Sequence, residues 1–100
     1  MSKIMVRYKV KPERVIENEE LIRAVYEELR SSVPVGFRYA TFRADDGVSF
    51  VHIAYNESDG SNPLREVAAF QRFQQGVGER CVAPPTSTGL HEIGSFRFWQ

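Results

Sequence analysis

Cysteine is the scarcest useful signal in this sequence: 100 residues contain one, Cys81. A lone thiol forms no internal disulfide, which fits a reducing compartment, and without a Cys-x-x-Cys pair a thiol metal carrier is excluded. There are two histidines, His52 and His91, and nothing near either has metal-ligand spacing. A surplus of charge is missing as well. Thirteen basic residues meet 13 acidic ones, so no net field draws the chain to nucleic acid or to an anionic membrane. No apolar run approaches the roughly 18 residues of a membrane span. Lys3, Arg7, Lys9, Lys11 and Arg14 break up the first twenty residues, which excludes a signal peptide there. The chain reads as cytoplasmic and, most simply, bacterial.

What is present suits one compact domain over residues 1–100. The mass is 11.5 kDa, with 42% hydrophobic and 26% charged residues, an ordinary globular composition. Lys3 to Val10 alternates, with Ile4, Val6, Tyr8 and Val10 on one side, and predicts a strand. From Glu13 to about Arg30 the period becomes helical, with Val15, Ile22, Val25, Tyr26 and Leu29 in one stripe. Phe37 to Ala44 and Val48 to Tyr55 are rich in aromatic and β-branched residues and predict two strands joined at Asp45-Asp46-Gly47. Asn62-Pro63 is an N-cap followed by proline at the first helical position, and predicts a second helix to about Arg80. Ala83-Pro84-Pro85 reads as a break, and Leu90 to Trp99 as a last strand.

The order is β-α-β twice over. Two right-handed crossovers of this kind interlock into an α+β, ferredoxin-like βαββαβ fold, a four-stranded antiparallel sheet with both helices on one face. A three-residue turn at Asp45 to Gly47 pairs Phe42 with Phe50 and Ala40 with His52. One sheet face then carries Arg38, Ala40, Phe42, Phe50, His52 and Ala54, and the other Tyr39, Thr41, Val51, Ile53 and Tyr55. Both are too apolar for water, so a homodimer closed sheet to sheet is expected.

Several constellations are absent. There is no Gly-x-Ser-x-Gly elbow for a serine nucleophile. Gly76-Val77-Gly78 lacks the third glycine of a dinucleotide loop and lies at a helix end. Asp46 to Ile53 partly matches the third-strand motif of RNA-recognition modules, but an acid stands for the basic residue, and Val48 and Ile53 replace stacking rings. Lys11-Pro12-Glu13 offers no phosphate cradle. What remains is polar residues on inward faces: Asn18 in the stripe of the first helix, Gln71 and Gln74 in that of the second, and His52 beside small Ala54 and facing Ala40. Taken singly, each has an ordinary structural reading. Together they describe a cavity with His52 as the base, since imidazole exchanges a proton near neutral pH, Asn18 as an orienting amide, and Gln71, Gln74, Ala40 and Ala54 as substrate-binding walls. No cofactor is called for.

The whole pattern resembles the dimeric α+β barrel superfamily, especially small proteins like the antibiotic biosynthesis monooxygenases. The segments that carry it are Asn18-Glu19-Glu20-Leu21, Asp46 to His52 and Phe70 to Gly76. The resemblance implies a homodimer with a cavity between helices and sheet in each subunit. It also implies oxidation of a small aromatic or quinol-type substrate by molecular oxygen, without metal or flavin. Haem cleavage, which other members perform with a first-strand Asn and a second-helix Trp, is disfavoured because both are missing. The alternative is a non-catalytic homodimer that binds a small apolar ligand or another protein.

Overall fold

The computed structural model describes residues 2–58 and 60–98. Strand β1 (Ser2–Val10) leads through a 3-10 turn at Pro12–Arg14 into helix α1 (Val15–Ser32). Strands β2 (Phe37–Arg43) and β3 (Ser49–Asn56) follow as a hairpin. A second 3-10 turn (Pro63–Glu66), helix α2 (Ala68–Gln74) and the single turn α3 (Val77–Arg80) lead to strand β4 (Cys81–Gly89). The four strands are antiparallel in the order β2-β3-β1-β4, the ferredoxin-like arrangement expected from the sequence.

Alternation places the core. On β1, Tyr8 and Val10 are buried while Arg7 and Lys9 between and beside them are exposed. They meet Phe50 from β3, Ile22 and Val25 from α1, and Leu64, Val67, Ala69 and Phe73 from the second helical region. The two helical segments are also tied by charge: the Glu28 carboxylate of α1 accepts from the backbone N–H groups of Ala68 and Ala69, at 3.1 and 2.9 Å. Helix α2 starts at Val67, which has no side chain to cap it, so a carboxylate from the other helix satisfies its first donors.

Three expectations are corrected. The hairpin register is one residue away from the expected one: Thr41, not Ala40, stands opposite His52, and Ala40 stands opposite Ile53. The cause is Asp46, whose carboxylate accepts from the amides of both Val48 and Ser49, at 2.9 and 2.8 Å, and so draws Val48 out of the strand into the turn. Because side chains alternate, the slip turns β2 over. Tyr39 and Thr41 now share the helix-covered face with His52 and Ala54, and Ala40 and Phe42 join Val51 and Ile53 on the other.

The second helix is not continuous to Arg80. It breaks at Val67 and again at Gln75-Gly76, where Gly76 takes a left-handed φ of 75° that other residues adopt at a cost. The last strand is Cys81–Gly89 and contains the prolines expected to interrupt it. It lies at the sheet edge, and its pairing with β1 shifts between Thr86 and Ala83, so neither proline nitrogen has to enter the ladder. Leu90 to Phe98 forms no strand, although Leu90 N–H still donates to Lys3 O. Trp99 lies outside the described residues. No helix of the described residues is long and apolar enough to cross a membrane.

Candidate functional site

The inner face of the sheet brings three hydrogen-bonding side chains to one point. Val6 on β1 and Thr41 on β2 flank His52 on β3 in the ladder, so the imidazole stands in mid-sheet beneath the helices. Tyr8, two residues along β1, reaches it from one side: Tyr8 Oη lies 2.7 Å from His52 Nε2. Tyr39 on β2 reaches it from the other, with Oη 2.6 Å from Nδ1, and Thr41 Oγ1 is 3.2 Å from the same nitrogen. Both ring nitrogens are therefore engaged.

The network continues into the helical layer. Asn18, in the first turns of α1 and without solvent exposure, donates from Nδ2 to Tyr8 Oη at 3.0 Å. Its Oδ1 accepts from Arg80 Nε at 3.1 Å. Arg80 is 2% exposed and also donates to the backbone carbonyls of Phe73 and Gln75, at 2.6 and 3.2 Å. Its carbonyl partners lie in the last turn of α2 and just after it, where a helix end has carbonyls to satisfy. A buried guanidinium with neutral partners is unusual, since burial disfavours its charge, and it holds there by donating along its fork.

Burial governs the electrostatics. It lowers His52 from the usual 6.5 to about 4, so the imidazole is neutral at physiological pH. It raises the hydroxyls of Tyr8 and Tyr39 well above the usual tyrosine value, so both remain protonated donors. The Cys81 thiol is pushed up too and stays in its inert form. Among the described residues no group of His, Cys, Asp or Glu could hold a metal ion.

A cavity of about 150 Å³ opens beside this network, between sheet and helices. Ile4, Val6, Tyr8, Tyr39, His52 and Ala54 form its sheet wall, and Leu64, Phe70, Phe73 and Val77 its roof. Of the residues predicted to line a site, His52, Ala54 and Gln74 do. Asn18 is one step removed, with Tyr8 between it and the imidazole. Gln71 turns away and donates to Arg65 O, and Ala40 is on the opposite sheet face.

Sequence reasoning missed Arg80, Asn62 and the part of the tyrosines. The expected three-residue turn places Tyr39 on the other face, where the observed register does not. Asn62 is the cap its Asn-Pro pair predicts, its side chain accepting from Leu64 N–H at 2.9 Å, and it lines the cavity as well. Arg80 carries no such signal, because its partners Asn18, Phe73 and Gln75 meet it only in the fold.

No protein-family model matches the sequence, and no curated protein matches it. Solved structures do. One is the crystal structure of an antibiotic biosynthesis monooxygenase, 19% identical, TM-score 0.71, covering 94% of this chain and 100% of that one. Another is a variant of SnoaB, a cofactor-independent oxygenase from Streptomyces nogalater, 18% identical, TM-score 0.64, covering 96% of each chain. A third, NE2512 from Nitrosomonas europaea, is a protein of unknown function, 11% identical, TM-score 0.70, covering 95% of this chain and 91% of that one. The expected likeness to antibiotic biosynthesis monooxygenases is therefore present in the fold. At these identities fold is what is shared, and chemistry has to be argued from the cavity.

Proposed function

We propose that the chain is a cofactor-independent, monooxygenase-like protein that takes a small aromatic or quinol-type substrate into the cavity. The supporting observation is an apolar hollow with a tyrosine–histidine wall, the ordinary make-up of a small-molecule site. Its volume, about 150 Å³, matches that of engineered cavities that take up benzene, so the ring system is a single one. The fold shared with a cofactor-independent oxygenase favours chemistry in which an ionised substrate itself reacts with oxygen.

In that reaction the protein has to favour the ionised substrate and hold it. His52 is the unprotonated base of the wall, and Asn18 orients it through Tyr8. The substrate hydroxyl gives its proton to Tyr8 Oη as the Tyr8 proton passes to His52 Nε2, across the 2.7 Å contact. Oxygen uptake with hydroquinone and catechol, for the wild type and for His52→Gln, tests the proposal. At least a tenfold slower uptake in the variant is expected. No uptake by the wild type, or equal uptake by both, overturns it.

A second reading, a binding protein without catalysis, is favoured by one observation: the low basicity that burial gives His52. Either reading is completed by a second copy of the chain. We propose that the outer sheet face, with Met5, Ala40, Phe42, Val51, Ile53 and Tyr55, closes sheet to sheet against its own copy. Phe42 is 52% exposed on that face in the single chain.

A further inference from the structure

The wall of the cavity has a direction. Arginine has donors and no acceptor, so Asn18 must present Oδ1 to Arg80 and its amide Nδ2 to Tyr8. Tyr8 Oη then accepts a hydrogen bond from Asn18 and has its own proton to donate, and the acceptor in reach is His52 Nε2. In the reverse arrangement Nε2–H and Asn18 would both donate to Tyr8, whose own proton would be left without a protein acceptor, whereas in the arrangement assigned Tyr39 still has the Thr41 hydroxyl beside it. A neutral imidazole that accepts at Nε2 carries its proton on Nδ1, and donates it to Tyr39 Oη at 2.6 Å. Tyr39 thus finds its nearest acceptor closed. Thr41 Oγ1, which contacts Tyr26 at 2.8 Å and His52 at 3.2 Å, is a hydroxyl with two lone pairs and remains an acceptor for Tyr39. Released from the imidazole, the Tyr39 proton can turn from Thr41 to an acceptor in the cavity, which Tyr39 lines.

We infer that Arg80, although outside the cavity, sets the polarity of its wall: through Asn18 and Tyr8 it holds His52 as the Nδ1–H tautomer and turns the Tyr39 hydroxyl into a donor for a single-ring apolar ligand bearing an acceptor oxygen. Arg80 and Asn18 are positioning residues; Tyr39 is the residue that meets the ligand. The inference concerns the cavity and not the reaction, so a chain that consumes no oxygen leaves it standing.

Substitution of one atom reverses the direction. In Asn18→Asp the carboxylate keeps Arg80 satisfied but donates nothing to Tyr8. Tyr8 must give its own proton to the carboxylate and accept from Nε2–H, which frees Nδ1 to take the Tyr39 proton. The tautomer is read from the ring nitrogens of ¹⁵N-labelled protein in a His91→Gln background, so that His52 alone reports. We expect Nδ1–H in the parent and Nε2–H in Asn18→Asp; Tyr8→Phe, which removes the donor to Nε2, is the second route to the same change. The ligand half uses acetophenone and ethylbenzene, alike in size and differing in one carbonyl oxygen. Acetophenone should bind about three- to tenfold more weakly to Asn18→Asp and to Tyr39→Phe than to the parent, with ethylbenzene unchanged. An Nε2–H parent, or a tautomer unmoved by both Asn18→Asp and Tyr8→Phe, overturns the polarity. No binding of acetophenone to the parent, or binding indifferent to Tyr39→Phe, overturns the ligand assignment.

Discussion

Thr41 on β2 stands directly opposite His52 on β3, and its hydroxyl lies 3.2 Å from the ring nitrogen that Tyr39 also meets. This pairing exists because the hairpin loop takes in Val48. With the shorter turn, Ala40 would face His52, and both Nδ1 partners would point to the far side of the sheet.

Asp46 is the residue that decides this. Its hydrogen bonds to Ser49 Oγ and to the amides of Val48 and Ser49 hold its carboxyl down at about 2, so it stays ionised, and the loop stays tied, through ordinary acid conditions. In Asp46→Ala the Val48 and Ser49 amides should exchange faster with solvent deuterium, while the His52 amide in mid-sheet keeps its protection. Unchanged exchange at Val48 and Ser49 would show that the carboxylate does not hold the turn.

The parts of this molecule that were legible in the sequence are those written in periodicity. Alternation gave β1 and its inner residues Tyr8 and Val10; the helical stripe gave α1, including Asn18 as a polar residue facing inward. What periodicity does not encode is where a strand begins in its partner's frame. Ala40 and Tyr39 are equally acceptable inward residues, and the choice rests on a side-chain-to-backbone bond inside the turn. Pro84 and Pro85 misled for a related reason: proline forbids a central strand but not an edge strand, and edge position is a property of the whole sheet. Arg80 was hidden because its partners, Asn18 and the carbonyls of Phe73 and Gln75, come together only after the second helix breaks. An unbroken helix to Arg80 would have consumed those carbonyls itself.

His52 makes acid a specific threat to the fold. Its value falls from 6.5 to about 4 on folding because burial penalises the cation, so between those values the unfolded chain binds the extra proton. The stability contributed is complete above pH 6.5, declines as pH falls through that window, and is lost by about pH 4. A shift of this size corresponds to about 3 kcal/mol at most. Urea midpoints measured from pH 7.5 to 4.5 should fall steeply for the wild type and less for His52→Gln. Parallel curves would mean that the imidazole is as easily protonated folded as unfolded.

Arg80 should be among the most sensitive positions in the chain. Arg80→Met keeps the apolar stem but leaves the carbonyls of Phe73 and Gln75 and the amide oxygen of Asn18 without their donor. Unpartnered buried acceptors of this kind cost about 1–3 kcal/mol each where water cannot reach them, so a loss of about 3 kcal/mol is expected. Arg80→Lys, with one ammonium for three separated acceptors, should lose about half of that. Thermal melting of the two variants checks the order, and a melting temperature unchanged in Arg80→Met would remove the buried guanidinium from the account of stability.

The outer sheet face gives the last prediction. Ile53 sits at its middle, paired with Met5 on one side and Ala40 on the other. If two copies meet there, a lysine at this position brings two ammonium groups together in an apolar contact, where neither finds a partner. Charges buried without partners cost several kcal/mol, more than a dimer of moderate affinity has to lose. Ile53→Lys should therefore be a folded monomer, with its melting transition retained because the residue faces away from the core and the cavity. Light scattering on a sizing column at micromolar concentration reads the result, with the wild type eluting at twice the chain mass. A monomeric wild type, or a variant that remains dimeric, would place the contact elsewhere or abolish it.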